Sequence, residues 1–183
     1  MRRAVVACLL ALVVVAAGAA WVVGTEPDWY ERLRYPLRNE AIVRGHARNY
    51  RLEPALLAAV IYTESKFKAD AESPAGAIGL MQLLPDTAKG IALRTGGRGF
   101  VVSDLYDPEI NVRYGSWYLR HLLDRYGDER EALAAYHAGQ GNVDLWRRRG
   151  VGIVFPETRA YVDKVLRLKR VYADAYASEL ALR

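Results

Sequence analysis

The sequence predicts a mainly α-helical domain of ordinary size behind an apolar amino-terminal segment. Three observations carry that expectation. Apolar residues recur at helical spacing, as at Leu56, Leu57, Val60 and Ile61. Proline-containing start signals open such stretches, at Glu53-Pro54, Pro85-Asp86 and Asp107-Pro108. Strand patterns are weak, and Ile78 to Met81 offers at most a minimal β element. With 52% hydrophobic and 26% charged residues over 183 positions, the composition is that of a folded domain with a real core.

Taken in order, Met1-Arg2-Arg3 is a positive start, and Ala4 to Gly24 is apolar and uncharged. That length suits a membrane span of about 20 residues, with the arginines favouring a cytoplasmic end. A cleaved signal peptide with Ala17-Gly18-Ala19 as its small-residue site is the competing reading, and the apolar run through Trp21-Val22-Val23 favours an uncleaved anchor. Either way the rest of the chain is expected outside the cytoplasm. Residues 25–37 read as a connector whose Trp29, Tyr30 and Tyr35 suit a membrane interface. The domain proper is expected over 38–178, with a short tail at 179–183.

Within it, 37–50 reads as helical on Ile42, Val43 and Ala47, followed by a helix over 54–67. A helix from Pro85 carries Ile91, Ala92 and Leu93 and gives way to a loop at Thr95-Gly96-Gly97-Arg98-Gly99. Asp104 to Asp107 reads as loop. Asp107 then caps a helix reaching Tyr126, with Val112, Tyr114, Tyr118, Leu119 and Leu122 inward and Gly127 as its stop. Helices are expected over 129–137, 143–149 and 157–177, with a glycine-rich turn at Ala138 to Asn142 and loop over 150–156.

The formal net charge of +5 suits an anionic partner, but no nucleic-acid fingerprint accompanies it, so a nucleic-acid role is not expected. The single cysteine, Cys8, excludes an intrachain disulfide, and the apolar run before it is too short for a lipidation signal. His46, His121 and His137 lack metal-ligand spacing, so neither a metal nor another cofactor is expected.

One residue breaks the helical pattern with chemistry. Glu64 falls on the face of Leu57, Val60 and Ile61, where an apolar residue is called for. Either it ends the helix and reaches water, or burial raises its pKa and makes it a general acid near neutral pH. Beyond it come a polar loop with Ser73-Pro74-Ala75-Gly76-Ala77 and the segment Gly79-Leu80-Met81-Gln82, closed by Pro85.

Together with Glu64-Ser65, Ala135-Tyr136-His137-Ala138-Gly139 and Glu157-Thr158-Arg159-Ala160-Tyr161-Val162, these pieces resemble the lytic transglycosylases of the soluble lytic transglycosylase (SLT) type. The likeness spans roughly 38 to 172. It implies a lysozyme-like fold of the goose-type kind and cleavage of peptidoglycan glycan strands at the MurNAc-GlcNAc bond. In that family one glutamate protonates the glycosidic oxygen and then takes the proton of the muramic acid C6 hydroxyl, giving a 1,6-anhydro end without water. Carried over, the resemblance makes Glu64 the acid and base. Ser73 orients the substrate's N-acetyl region, Gln82 and the backbone of Gly79, Leu80 and Met81 form the groove floor, Tyr136 and Tyr161 line the cleft, and Glu157 contacts substrate. His137 stands where the family usually has asparagine, and Leu84 where some relatives carry methionine. A muramidase using water in the same cleft and a non-catalytic wall-binding protein are the alternatives. By pattern alone Tyr136 and Tyr161 could be core, Ser73 a turn residue, Gln82 a satisfied amide and Glu157 a helix-start charge.

Overall fold

The computed structural model describes residues 2–182, with the side chains of residues 4–8, 11, 19 and 23 left outside the description. Cys8 and part of the apolar leader fall among those undescribed side chains, and Arg183 of the tail lies outside as well. The chain divides into two compact units, Met1–Pro36 and Leu37–Arg183.

The first unit holds α1 (Arg2–Thr25) and α2 (Asp28–Arg34). The second helix was not expected in the connector. Pro27 precedes its first residue, Asp28 and Glu31 occupy its acidic first turn and Arg32 and Arg34 its basic last turn, all of which favour a helix end to end. Among the described residues no helix is long and apolar enough to cross a membrane.

The second unit is mainly helical. Its elements are α3 (Glu40–Asn49), α4 (Pro54–Ser65), α5 (Pro85–Thr95), a 3-10 helix (Val102–Tyr106), α6 (Pro108–Tyr126), α7 (Glu129–Ala138), α8 (Gln140–Arg148) and α9 (Pro156–Ala175). Among the described residues β structure is limited to isolated bridges, Glu72 with Ile78 and Ile78 with Leu83. The minimal β element expected at Ile78 to Met81 is confined to the bridges of Ile78, and residues 79–82 form a tight turn between Ile78 and Leu83. The 3-10 helix replaces the loop expected at 104–107; Asp104 ties it down by accepting from the Val101 N–H at 2.9 Å. The glycine-rich stretch after Ala138 is shorter as a turn than expected, because α8 already begins at Gln140.

The central element is α4. Every residue from Ala55 to Ile61 is buried, so the helix is apolar all round and not merely along one stripe. It packs most extensively on α9, whose Tyr161, Val165, Leu168 and Tyr172 are buried at the spacing of one face. α3 also packs on it and in turn on α6, and α7 joins α6 to α9. Asp107 caps α6 as the sequence suggests, its Oδ1 accepting from the Ile110 N–H at 3.0 Å, and Gly127 ends that helix at φ +66°. A second cluster of Ile78, Leu83, Ala88, Ile91, Leu105 and Tyr114 fastens α5 and the 71–84 loop to α6.

Candidate active site

The last turn of α4 delivers Glu64 to the edge of this core. Lys66 ends the helix in the left-handed region (φ +53°), and Ser65 fixes its position. The Ser65 hydroxyl is buried and lies 2.8 Å from the Leu80 carbonyl and 3.1 Å from that of Ile61, so it ties the residue beside Glu64 to the 71–84 loop. Glu64 itself is partly buried. Its Oε1 accepts a hydrogen bond from the Tyr161 hydroxyl of α9 at 2.6 Å. Burial raises the carboxyl pKa from 4.5 to about 7, against the opposing effects of the Tyr161 hydrogen bond and the Lys164 charge. Desolvation thus outweighs both partners, and the group is about half protonated at neutral pH.

Two tyrosines stand over this carboxyl. Tyr136, near the end of α7, donates to the Met81 carbonyl at 2.8 Å, and its ring packs on Tyr118 with centroids 5.5 Å apart. Part of the Tyr136 ring faces the cleft while its hydroxyl is removed from water. Burial and the nearby Glu64 charge push the pKa of both Tyr136 and Tyr161 well up, so both phenols stay donors. His137 is exposed, its ring 4.5 Å from that of Tyr161 and its Nδ1 3.1 Å from the buried Thr158 hydroxyl. Partial burial lowers its pKa while Glu157, exposed at the start of α9, pulls the other way. The imidazole is therefore mostly neutral at pH 7.

The 71–84 loop forms the opposite wall, and one residue the sequence reading passed over organises it. Asn111 of α6 is 1% exposed. Its Oδ1 accepts from the Met81 N–H at 2.8 Å, and its Nδ2 donates to the Ile78 and Leu105 carbonyls at 2.9 and 2.8 Å. Gly79 sits at φ +81°, and a Cβ there would collide with the Asn111 amide and the Leu105 carbonyl, so both its backbone conformation and its surroundings require glycine. The Leu80 and Met81 side chains are fully buried, Met81 against Gly115, so they support the loop from behind and do not line the groove. Gln82, at φ +48°, donates its amide to the Ala71 and Gly79 carbonyls at 3.1 and 3.0 Å, leaving its Oε1 as the free end. Ser73 closes the loop's tip: its Oγ accepts from the Ala77 N–H at 3.0 Å and keeps its own proton to donate.

Between the loop and α7 runs a cleft of about 240 Å³ lined by Gln82, Leu84, Thr87, Tyr118, Tyr136 and His137. Leu84 is 45% exposed at its mouth. A larger hollow of about 360 Å³ lies elsewhere, between α8, the first turn of α7 and residues 151–153. Its charged groups already have partners: Arg147 with Glu131 at 3.2 Å, Arg130 with Asp163 at 2.7 Å, and Arg159 on the Ile153 and Val154 carbonyls. No strongly shifted carboxyl lies there, whereas Tyr136 of the smaller cleft is close enough to Glu64 to feel its charge, so the smaller cleft is the site of interest.

The carboxylates that follow Glu64 in sequence as far as the start of α5 are committed elsewhere or solvated. Glu72 accepts from the Tyr106 hydroxyl at 3.1 Å, Asp86 pairs with Lys89 at 3.2 Å, and Asp70 is exposed. Among the described residues no group of His, Cys, Asp and Glu is arranged to hold a metal ion.

A buried helix that ends on one desolvated glutamate held by a tyrosine, close to a cleft lined by Tyr118 and Tyr136, defines a lysozyme-like helical domain of the SLT class. The sequence matches the Transglycosylase SLT domain family over residues 41–151, and the chain belongs to that family. It is 39% identical over 118 residues to a transglycosylase of Enterobacteria phage PRD1, covering 64% of this chain and 38% of the relative. With the soluble lytic murein transglycosylase of Escherichia coli K12 it shares 31% identity over 151 residues, 76% of this chain and 23% of that protein. The fold superposes on the X-ray structure of an inactive mutant of lytic transglycosylase Slt from Pseudomonas aeruginosa with a TM-score of 0.75 and 32% identity, covering 80% of this chain and 26% of that one. The chain thus spans well under half the length of these relatives.

Proposed function

We propose that the protein is a peptidoglycan lytic transglycosylase in which Glu64 acts first as acid and then as base. The observation that carries this reading is the Glu64 carboxyl itself, desolvated to a pKa of about 7 and held by a single phenol. A carboxylic acid protonated near neutral pH can donate to a glycosidic oxygen, and the carboxylate that results can accept a proton in the next step. Glycosidases that use water commonly pair two carboxylates, one on each side of the bond. Here Glu72 and Asp86 have other partners, and Glu157 is exposed beside His137. That arrangement favours an intramolecular nucleophile, the C6 hydroxyl of the sugar, which gives a 1,6-anhydro end. In this reading Ser73, Gln82, Tyr136, His137, Tyr161 and Glu157 meet the glycan, and the backbone of Gly79, Leu80 and Met81 forms the floor of the groove.

Residues 38–178 form the catalytic domain in this reading. The uncharged stretch from Ala4 to Gly24 serves as a membrane anchor. Support for this comes from the sequence, in which the stretch carries no charge behind the arginines at its start. The enzyme then works on the wall outside the cytoplasm.

The test is to digest purified peptidoglycan with the full chain in detergent, beside Glu64→Gln, and to weigh the fragments. Fragments one water lighter than muramidase products, absent with Glu64→Gln, uphold the reading. Free reducing ends establish water as the nucleophile, and binding without cleavage makes the domain a wall-binding module.

A further inference from the structure

A recess of about 240 Å³ lies where the ends of α3 and α5 meet α6, lined by Tyr50, Thr95, Gly96, Gly97, Arg113 and Tyr114. It shares no lining residue with the Tyr136 cleft. Three donors converge on it. Arg113 is exposed on α6. Glu109, one turn earlier, is its natural i,i+4 partner, but the Glu109 Oε1 lies 2.9 Å from His46 Nε2 instead. Among the described residues no carboxylate stands within ion-pair distance of Arg113, whose guanidinium lies 5.2 Å from the centre of the Tyr114 ring. Tyr114 is 2% exposed, yet its hydroxyl has no hydrogen-bond partner among the described residues. Gly97 makes room for that hydroxyl, since a Cβ there would come within 2.5 Å of it. The Tyr50 hydroxyl is likewise unpartnered among the described residues. Burial raises its pKa, Arg113 works against the rise and Tyr114 adds to it, so the three groups feel one another and the phenol stays a donor. The acceptors around the recess are already in use. The Thr95 hydroxyl donates to the Ile91 carbonyl at 2.9 Å, and the Gly96 and Gly97 carbonyls accept from the Arg98 and Phe100 N–H groups at 2.9 and 3.1 Å. A neighbouring hollow of about 290 Å³ shares Arg113 and Tyr114 and adds Arg98; its carboxylate, Asp104, accepts from the Val101 N–H at 2.9 Å.

We propose that this recess binds an oxyanion, a carboxylate or phosphate group, gripped by the Arg113 guanidinium and donated to by the Tyr50 and Tyr114 hydroxyls. A planar guanidinium meets either group through two parallel bonds, and each phenol supplies one more. With no carboxylate on the walls of the recess and its backbone acceptors occupied, the site selects for negative charge. Its volume takes the anionic group with a short attachment. The site owes nothing to Glu64 or to the reading of the cleft.

The experiment melts the full chain in detergent at pH 7 with sodium phosphate, sodium acetate or sodium chloride at equal ionic strength. About 20 mM of the preferred oxyanion should raise the wild-type melting temperature by about 5 °C over chloride, as a dissociation constant of about 1 mM requires. Arg113→Gln should lose nearly all of that shift; the side chain is exposed and makes no hydrogen bond within the described residues, so the variant folds. Tyr50→Phe and Tyr114→Phe keep their rings and should each lose about half of it. Glu64→Gln should keep it whole. A larger shift with phosphate assigns a phosphate-bearing ligand, and a larger one with acetate a carboxylate-bearing ligand. No shift beyond chloride with either ion overturns the proposal, as does a shift that survives in Arg113→Gln. Loss of the shift in Glu64→Gln overturns it too, because the ion would then sit in the cleft.

Discussion

Two polar residues stand on apolar helix faces in this molecule, and they are used in opposite ways. Asn111 on α6 is fully satisfied: three hydrogen bonds of 2.8 to 2.9 Å join its amide to the backbone of the 71–84 loop and the 3-10 helix. Glu64 on α4 is under-satisfied, with one phenol and a carboxyl pKa lifted to about 7. A buried polar group with all its partners specifies structure, because removing it strands other groups. One left short of partners holds reactivity at the expense of stability.

Substitution should separate the two. Glu64→Gln keeps the shape and removes the proton, so cleavage should fall by about a thousandfold or more while the circular dichroism spectrum is unchanged. Asn111→Ala should do the reverse. It leaves the Met81 N–H and the Leu105 carbonyl without this partner and the Ile78 carbonyl with the Leu83 N–H alone, a loss of about 3 kcal/mol and about 10 °C in melting temperature, with cleavage surviving in the cold.

The pH dependence of stability sharpens the contrast. The Glu64 pKa is raised on folding, so the folded state binds more protons than the unfolded one between pH 4.5 and about 7, and stability falls as pH rises through that window. Glu64→Gln should therefore be more stable than wild type by about 2 kcal/mol at pH 8 and equal to it at pH 4, as read by denaturant melts at both values. Asn111 variants should show no such pH-dependent difference.

Smaller effects follow at the neighbours. The Tyr161 hydrogen bond lowers the Glu64 pKa, so Tyr161→Phe should move the alkaline limb of the kcat/KM profile to higher pH, with about a tenfold drop in kcat. His137→Asn should change kcat by less than about threefold, because the amide can still bond to Thr158 and only the ring contact with Tyr161 is lost.

Much of this is legible in the sequence for local reasons. Start signals at Pro54, Pro85 and Asp107-Pro108 mark α4, α5 and α6 to the residue, because caps are written in adjacent positions. Glu64 stands out because it interrupts a run of apolar residues. Asn111 gives the same signal, lying at helical spacing with Gly115 and Leu119, yet its meaning depends on a loop thirty residues away. The 71–84 loop is illegible for that reason. Its shape comes from the Asn111 side chain, from positive φ at Gly79 and Gln82, and from Ser65 bonding the Leu80 carbonyl, none of which leaves a periodic trace. Leu80 and Met81 read as groove floor through their backbone on resemblance, and burial of their side chains leaves that reading open. In the first unit α2 was hidden because a seven-residue helix is too short for periodicity to show.

The account stands on the state of one carboxyl. Carbon-13 labelling of glutamate, with Glu64→Gln to assign the resonance, allows the Glu64 carboxyl shift to be followed against pH in the intact protein. The account predicts a midpoint near pH 7 that moves upward in Tyr161→Phe. A midpoint near the ordinary 4.5 would mean that Glu64 is a solvated carboxylate at neutral pH and would contradict its role as the acid.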